Sequence, residues 1–179
     1  MAEADPRRAI EAAASLPNSV RAEALIALAR MAMTKNPSAA RDALEKMAES
    51  LKNSTTSSSR HDLNNYWVEG IEISTQIGEL ALAQRLLKSG LDQAKQLWEK
   101  DSDEANPNVA LKAWWPSTFA FSRLVSAALK ITPQAALGAT KEVPDPELQL
   151  LCEIRLAKAR LGVSSGRSMI VTRKLRTSN

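Results

Sequence analysis

Asp5-Pro6-Arg7-Arg8-Ala9-Ile10-Glu11-Ala12-Ala13-Ala14-Ser15-Leu16-Pro17-Asn18 returns near the other end of the chain, without a gap, as Thr132-Pro133-Gln134-Ala135-Ala136-Leu137-Gly138-Ala139-Thr140-Lys141-Glu142-Val143-Pro144-Asp145. Each copy reads as a capped helix, an apolar stop, a proline and a new cap. The opening pair occurs twice more, at Asn36-Pro37 and Asn106-Pro107, and all four prolines are followed by Ala three and six residues later. An Asp, Asn or Thr side chain accepts a hydrogen bond from an orphan N–H of the first turn, and proline at the first helical position arrives with its φ already helical. The pairs Ala9 and Ala12, Ala40 and Ala43, Ala110 and Ala113, and Ala136 and Ala139 each share one helical face, expected to be buried where a neighbouring helix approaches closely. After each end copy a second apolar-periodic segment follows: Val20, Ala24, Leu25, Leu28 and Ala29 in one, Leu148, Leu151, Cys152, Ile154 and Leu156 in the other. The unit is a helical hairpin, and its repetition marks an all-α chain of stacked antiparallel hairpins.

Composition agrees. The 179 residues suffice for one domain with a core, and 44% hydrophobic with 25% charged residues is ordinary for a soluble globular protein. Six glycines and 4% aromatics against abundant Ala and Leu argue against a sheet protein. There is no apolar run of the ~18 residues that a membrane-spanning helix needs. The acidic, alanine-rich start Met1-Ala2-Glu3-Ala4-Asp5 does not read as a signal peptide. The expectation is a soluble protein, cytoplasmic by default, although a chain processed from an exported precursor would read the same.

Helices are expected at 6–15, 19–33, 37–51, 60–77, 79–99, 107–130 with a break or kink at Pro116, 133–142 and 146–161. Asn53 to Ser59 is a polar, low-complexity run that reads as a mobile loop between hairpins, and Lys100 to Asn106 reads as a charged turn. Residues 1–162 are assigned to the helical-repeat domain and 163–179 to a basic, flexible C-terminal tail.

Catalytic and metal chemistry finds little support. Cys152 cannot form an internal disulfide, being the only cysteine, and it sits in an apolar stripe, so it reads as a small buried hydrophobe. With His61 the only histidine, a zinc site of the usual His and Cys spacing cannot be built. Ser59, His61 and Asp62 have the residue types of a nucleophilic triad but lie within four positions, whereas a triad draws its members from separate elements; they read as loop and helix cap. Gly162 to Gly166 lacks the Lys-Ser or Lys-Thr pair of a phosphate loop. The expectation is a non-enzyme with no metal and no cofactor.

In the middle of the chain Trp67, Gly70, Ile71, Gly78, Ala83 and Leu87 fall at spacings that resemble the tetratricopeptide repeat, a helix-turn-helix of about 34 residues. Ser74 stands where that family usually has an aromatic residue, and Lys95 where its terminal proline would fall. The step from Asn36 to Asn106 is 70 residues, room for two units of about that length. The resemblance implies a short α-solenoid with a concave binding groove and a scaffold or adaptor role. It carries over no ligand, since the chain has no recognisable carboxylate-clamp set of Lys, Arg and Asn.

Tyr66 with Trp67, and Trp114 with Trp115, Phe119 and Phe121, cluster at two helix starts, and Trp98 ends a third helix. Trp67 reads as core packing. Trp114 and Trp115 point about 100° apart on a helix, so they are not both expected to be buried and become candidate partner contacts, together with Asn65 and Glu72. From Arg155 onward there are seven basic residues and no acidic one, so removing them from the formal +4 leaves −3 on residues 1–154. Arg173, Lys174 and Arg176 in the tail could contact phosphates of nucleic acid or another anion, although no aromatics are interleaved to stack on bases.

Together these features point to a non-catalytic protein-interaction or scaffold module whose partner is a protein or peptide. The alternatives are a nucleic-acid-associated helical protein anchored by its basic tail, and a helical regulatory domain of a larger enzyme.

Overall fold

The structure, a computed structural model, describes residues 5–52, 60–104 and 116–161, which form eight α-helices and no strand. In chain order they are α1 (Pro6–Ala14), α2 (Asn18–Ala32), α3 (Pro37–Lys52), α4 (Arg60–Gln76), α5 (Leu80–Glu104), α6 (Pro116–Ile131), α7 (Pro133–Lys141) and α8 (Pro146–Arg160). Three of the four repeated cap-proline starts lie among these residues, and each is capped as its chemistry requires. Asp5 Oδ1 accepts from the Arg7 N–H at 3.0 Å, Asn36 Oδ1 from Ala39 at 3.1 Å, and Thr132 Oγ1 from Ala135 at 3.0 Å. The copy at Asn106 lies outside the described residues, as do Asn53 to Ser59 and the 163–179 tail.

Most helices next but one in the chain lie side by side: α2 beside α4, α4 beside α6, α6 beside α8, α1 beside α3 and α3 beside α5, while α5 and α7 are not packed in this way. Each helix also packs on the one that follows it. The core runs between the even-numbered and odd-numbered helices. Its largest members are Trp67 of α4, Phe121, Leu124 and Val125 of α6, Leu44, Met47 and Leu51 of α3, Leu25 of α2, and Leu86 of α5. Gly78, at φ +80°, turns the chain from α4 into α5 in a backbone conformation that only glycine adopts freely.

Helix α4, like α3 and α6, touches four others, here α2, α3, α5 and α6. Its Trp67 is buried, and the indole N–H donates to Gln93 Oε1 of α5 at 2.5 Å. Gly90 of α5 makes room for this ring. A Cβ there would lie 2.9 Å from Leu124 Cδ2 and 3.3 Å from both Cβ and Cγ of Trp67.

Four local expectations are corrected. Ala40, Ala43, Ala136 and Ala139 are buried, but Ala9 is only half-buried and Ala12 is exposed. In α1 the buried pair is Ile10 and Ala13, one position further on. This first helix packs on α2 and α3, and Ile10 rather than Ala9 faces them; in the aligned α7 the residue at the Ile10 position, Leu137, is exposed. Asn18 is already helical, and α2 has no side-chain cap bond. Its counterpart Asp145 does cap α8, accepting from Glu147 and Leu148 at 3.0 Å each, because the following Pro146 holds Asp145 out of helical conformation. Lys100 to Glu104 are helical rather than a turn, since α5 runs to Glu104. The buried Asp101 carboxylate explains the extension: its Oδ2 accepts from the Ser117 backbone N–H at 3.1 Å and from the Ser117 hydroxyl at 2.7 Å, tying the end of α5 to the start of α6 where an anion is favoured. Finally, His61 and Asp62 lie within the first turn of α4 and not in a loop, while Ser59 is outside the described residues. Helix α6 is described from Pro116, and the 107–115 part of the expected longer helix is outside the described residues.

Two predictions follow from this packing, both read as urea midpoints. Ala136→Leu should lower stability by roughly 1 to 3 kcal/mol through overpacking, whereas Ala9→Leu should stay within about 0.5 kcal/mol, as partly exposed positions do. Gly90→Ala should destabilise by about 1 to 2 kcal/mol despite the better helix propensity of alanine. Gly138→Ala in α7, where an added Cβ meets nothing within 4 Å, should gain roughly 0.5 to 1 kcal/mol.

Candidate functional site

Asn65, Glu69 and Glu72 succeed one another at four- and three-residue steps along α4, so they form one ridge on the side of that helix. The flanking helices reach this ridge with three cations. Arg123 of α6 donates to Asn65 Oδ1, Arg30 of α2 donates to Glu69 Oε1, and Lys130 Nζ of α6 meets Glu72 Oε1 at 2.7 Å. Arg123 and Lys130 are themselves a helical repeat of seven apart on α6, with Phe119 one turn before them on the same side. Phe119, Arg123 and Lys130 are all exposed. The result is a polar strip across α2, α4 and α6, bounded at one end by an aromatic ring.

Ion pairs in such partly solvated positions contribute about 0.2 to 1 kcal/mol each at most, so these contacts align helices without locking them. A partner carboxylate offered to Arg30, Arg123 or Lys130 would exchange one surface pair for another. The chemistry available is therefore reversible recognition of charged side chains. The odd-numbered helices carry a comparable set: Arg85 Nη2 of α5 bonds Glu45 of α3 at 2.9 Å, Arg41 of α3 stands 3.4 Å from both Glu45 and Glu79, and Lys95 of α5 pairs with Glu142 after α7.

Of the expected partner contacts, Asn65 and Glu72 are thus brought together, and both already engage α6. Trp114 and Trp115, and the tail residues Arg173, Lys174 and Arg176, lie outside the described residues. Trp67 and Phe121 belong to the core. Arg30, Glu69, Arg123 and Lys130 escape a reading of the sequence because their pairing depends on helices 39 to 58 residues apart; the regular spacing of Glu69 and Glu72 beside Asn65 is the only local sign of it.

Elsewhere, an open cleft of about 410 Å³ is lined by Arg7, Ile10 and Glu11 of α1 and by Asp42, Glu45, Lys46 and Glu49 of α3. Charges of both signs line it, and Glu45 is held by Arg85. Among the described residues no group of three or more His, Cys, Asp and Glu side chains is placed to hold a metal ion, and no helix is long and apolar enough to cross a membrane. The Ser74 hydroxyl, on α4, is the one fully buried side-chain polar atom among the described residues that lacks a hydrogen-bond partner. Cys152 is buried in α8. Burial pushes its thiol above the ordinary range; the nearby Arg155 charge pulls it down and Glu153 adds to the rise.

Comparison of the chain with protein-family models, with curated proteins and with solved structures gives no match in any of the three.

A raised thiol pKa means less thiolate at neutral pH, and the thiolate is the reactive form. Cys152 in the folded protein should therefore react with a disulfide reagent at pH 7.5 roughly ten-fold or more slowly than in urea, with the gap measured by absorbance of the released thiol.

Proposed function

We propose that this chain is a short α-solenoid similar to the tetratricopeptide type and that it acts as a non-catalytic module binding a protein or peptide segment along α2, α4 and α6. The observation that carries the proposal is the polar strip of Asn65, Glu69 and Glu72 with Arg30, Arg123 and Lys130. It lies across three helices that are neighbours because the chain pairs next-but-one elements, the arrangement by which stacked repeats build extended binding faces. The resemblance is further supported by burial of Trp67, Ile71, Ala83 and Leu87 and by the turn at Gly78. The surface pairs are weak and solvent-accessible, so a segment bearing carboxylates beside apolar side chains suits the strip, its acids taking over the cations and its apolar groups meeting Phe119. Trp114 and Trp115, just before α6 in the sequence and outside the described residues, remain candidates.

One sequence observation favours a second reading, nucleic-acid association: the seven basic residues from Arg155 onward, with no acidic one. The two readings separate in one experiment. Peptides selected from a random display library on the full chain should bind with at least about ten-fold lower affinity to the Arg123→Ala, Lys130→Ala double variant, the loss typical of truncating interface charges. They should bind unchanged to a chain lacking residues 163–179. Peptides indifferent to the double variant would remove the strip as the site. If instead single-stranded nucleic acid binds with a steep salt dependence that disappears with the tail, and no peptide does, the second reading replaces the first.

A further inference from the structure

Helix α8 is apolar on two sides. Leu148, Cys152 and Leu156 are buried, and α8 packs on α6 and α7. On the other side Leu150, Leu151 and Ile154, with Leu161 just past the helix end, are 57%, 52%, 43% and 77% exposed. At 100° per residue, Leu150, Ile154 and Leu161 fall within one narrow stripe, with Leu151 at its margin and Glu147 and Lys158 interleaved. A helix at the end of a stack ordinarily turns a polar face outward; α8, the last of the described helices, carries this apolar stripe on that side.

The charges on the stripe indicate what covers it. Glu147 and Lys158 are equidistant from a point between Cys152 and Glu153, near the middle of α8, and so are Leu151 and Ile154. Laid antiparallel on a second α8, about a two-fold axis that passes beside the helix at that point, each Glu147 faces the Lys158 of the other copy, and each Leu151 comes beside an Ile154. Such a stripe is complementary to itself, the property that an isologous two-fold contact requires. No ion pair within the described residues uses either charge. We propose that the chain forms a homodimer through α8 of each copy, antiparallel, with apolar contacts at the centre and two Glu147–Lys158 pairs at the rims. A single helix seam about 22 Å long is small beside the interfaces of stable complexes, which places the association in the weak, reversible class. The dimer leaves the α2, α4 and α6 strip of each copy uncovered and does not depend on that strip being a binding site.

Sedimentation of the full chain across a concentration series tests this. The expected result is a monomer–dimer equilibrium that Leu151→Lys with Ile154→Lys abolishes; both positions are exposed in the single chain, and unchanged helical circular dichroism checks that it stays folded. Glu147→Lys alone and Lys158→Glu alone should each weaken association by roughly ten-fold through like charges, while the two together should restore it, since every copy then offers the swapped pair. A chain that is monomeric at all concentrations overturns the proposal. So does a dimer indifferent to the lysine substitutions, or a double charge swap that fails to restore association with helix content intact. Dimerisation that appears only after removal of residues 163–179 also overturns it, because the tail would then be what covers α8.

Discussion

Helices α4, α5 and α6 meet at one close approach, where Gly90 faces Leu124 and the Cβ and Cγ of Trp67. Trp67 is the largest side chain in the core, and the absence of a Cβ on α5 at that point lets it pack there without displacing its neighbours. Its indole N–H still finds Gln93 on the same α5, so a bulky residue with a polar atom is buried without an unmet donor. With α4 seated against α5 in this way, its two flanks are left for α2 and α6. The interleaving of even and odd helices extends from there.

Helix starts were legible because capping is chemistry between near neighbours. A side-chain acceptor, a proline and the first-turn N–H groups are enough, and Asp5, Asn36 and Thr132 perform that role as their sequence suggests. The inner face of a helix is less local. In α7 the alanines of the repeat turn inward between α6 and α8, whereas the aligned α1, packed between α2 and α3, turns Ile10 and Ala13 inward in their place. The end of α5 was illegible for a related reason. Lys100 to Glu104 is charged enough to read as a turn, yet Asp101 lies inside because Ser117, sixteen residues on, supplies its hydrogen bonds.

The candidate surface shows the same division. Asn65 and Glu72, expected on the open side of the array, lie on one ridge of α4. The cations that meet the Asn65 amide and the Glu72 carboxylate come from α6, so the sequence shows these polar groups but not their partners. Burial of Cys152 was readable from its place in an apolar stripe, and that of Trp67 from its resemblance to a buried position of the tetratricopeptide repeat. The outward apolar residues of α8 are the opposite case: Leu151 and Ile154 stand in the same apolar-periodic run as Leu148, Cys152 and Leu156, and only the three-dimensional arrangement separates the exposed from the buried.

Because the principal contacts join helices one or two places apart along the chain, the loops closed during folding are short, and topologies of this kind fold quickly. The same locality divides the protein's cooperativity. Among the described helices α1, α7 and α8 each pack on two neighbours, whereas α3, α4 and α6 each pack on four, so local opening is easier in the former than around Trp67. Substitutions in α1 or α8 can therefore loosen their own hairpin while the Trp67 region stays folded, and change is tolerated more readily there than around that ring.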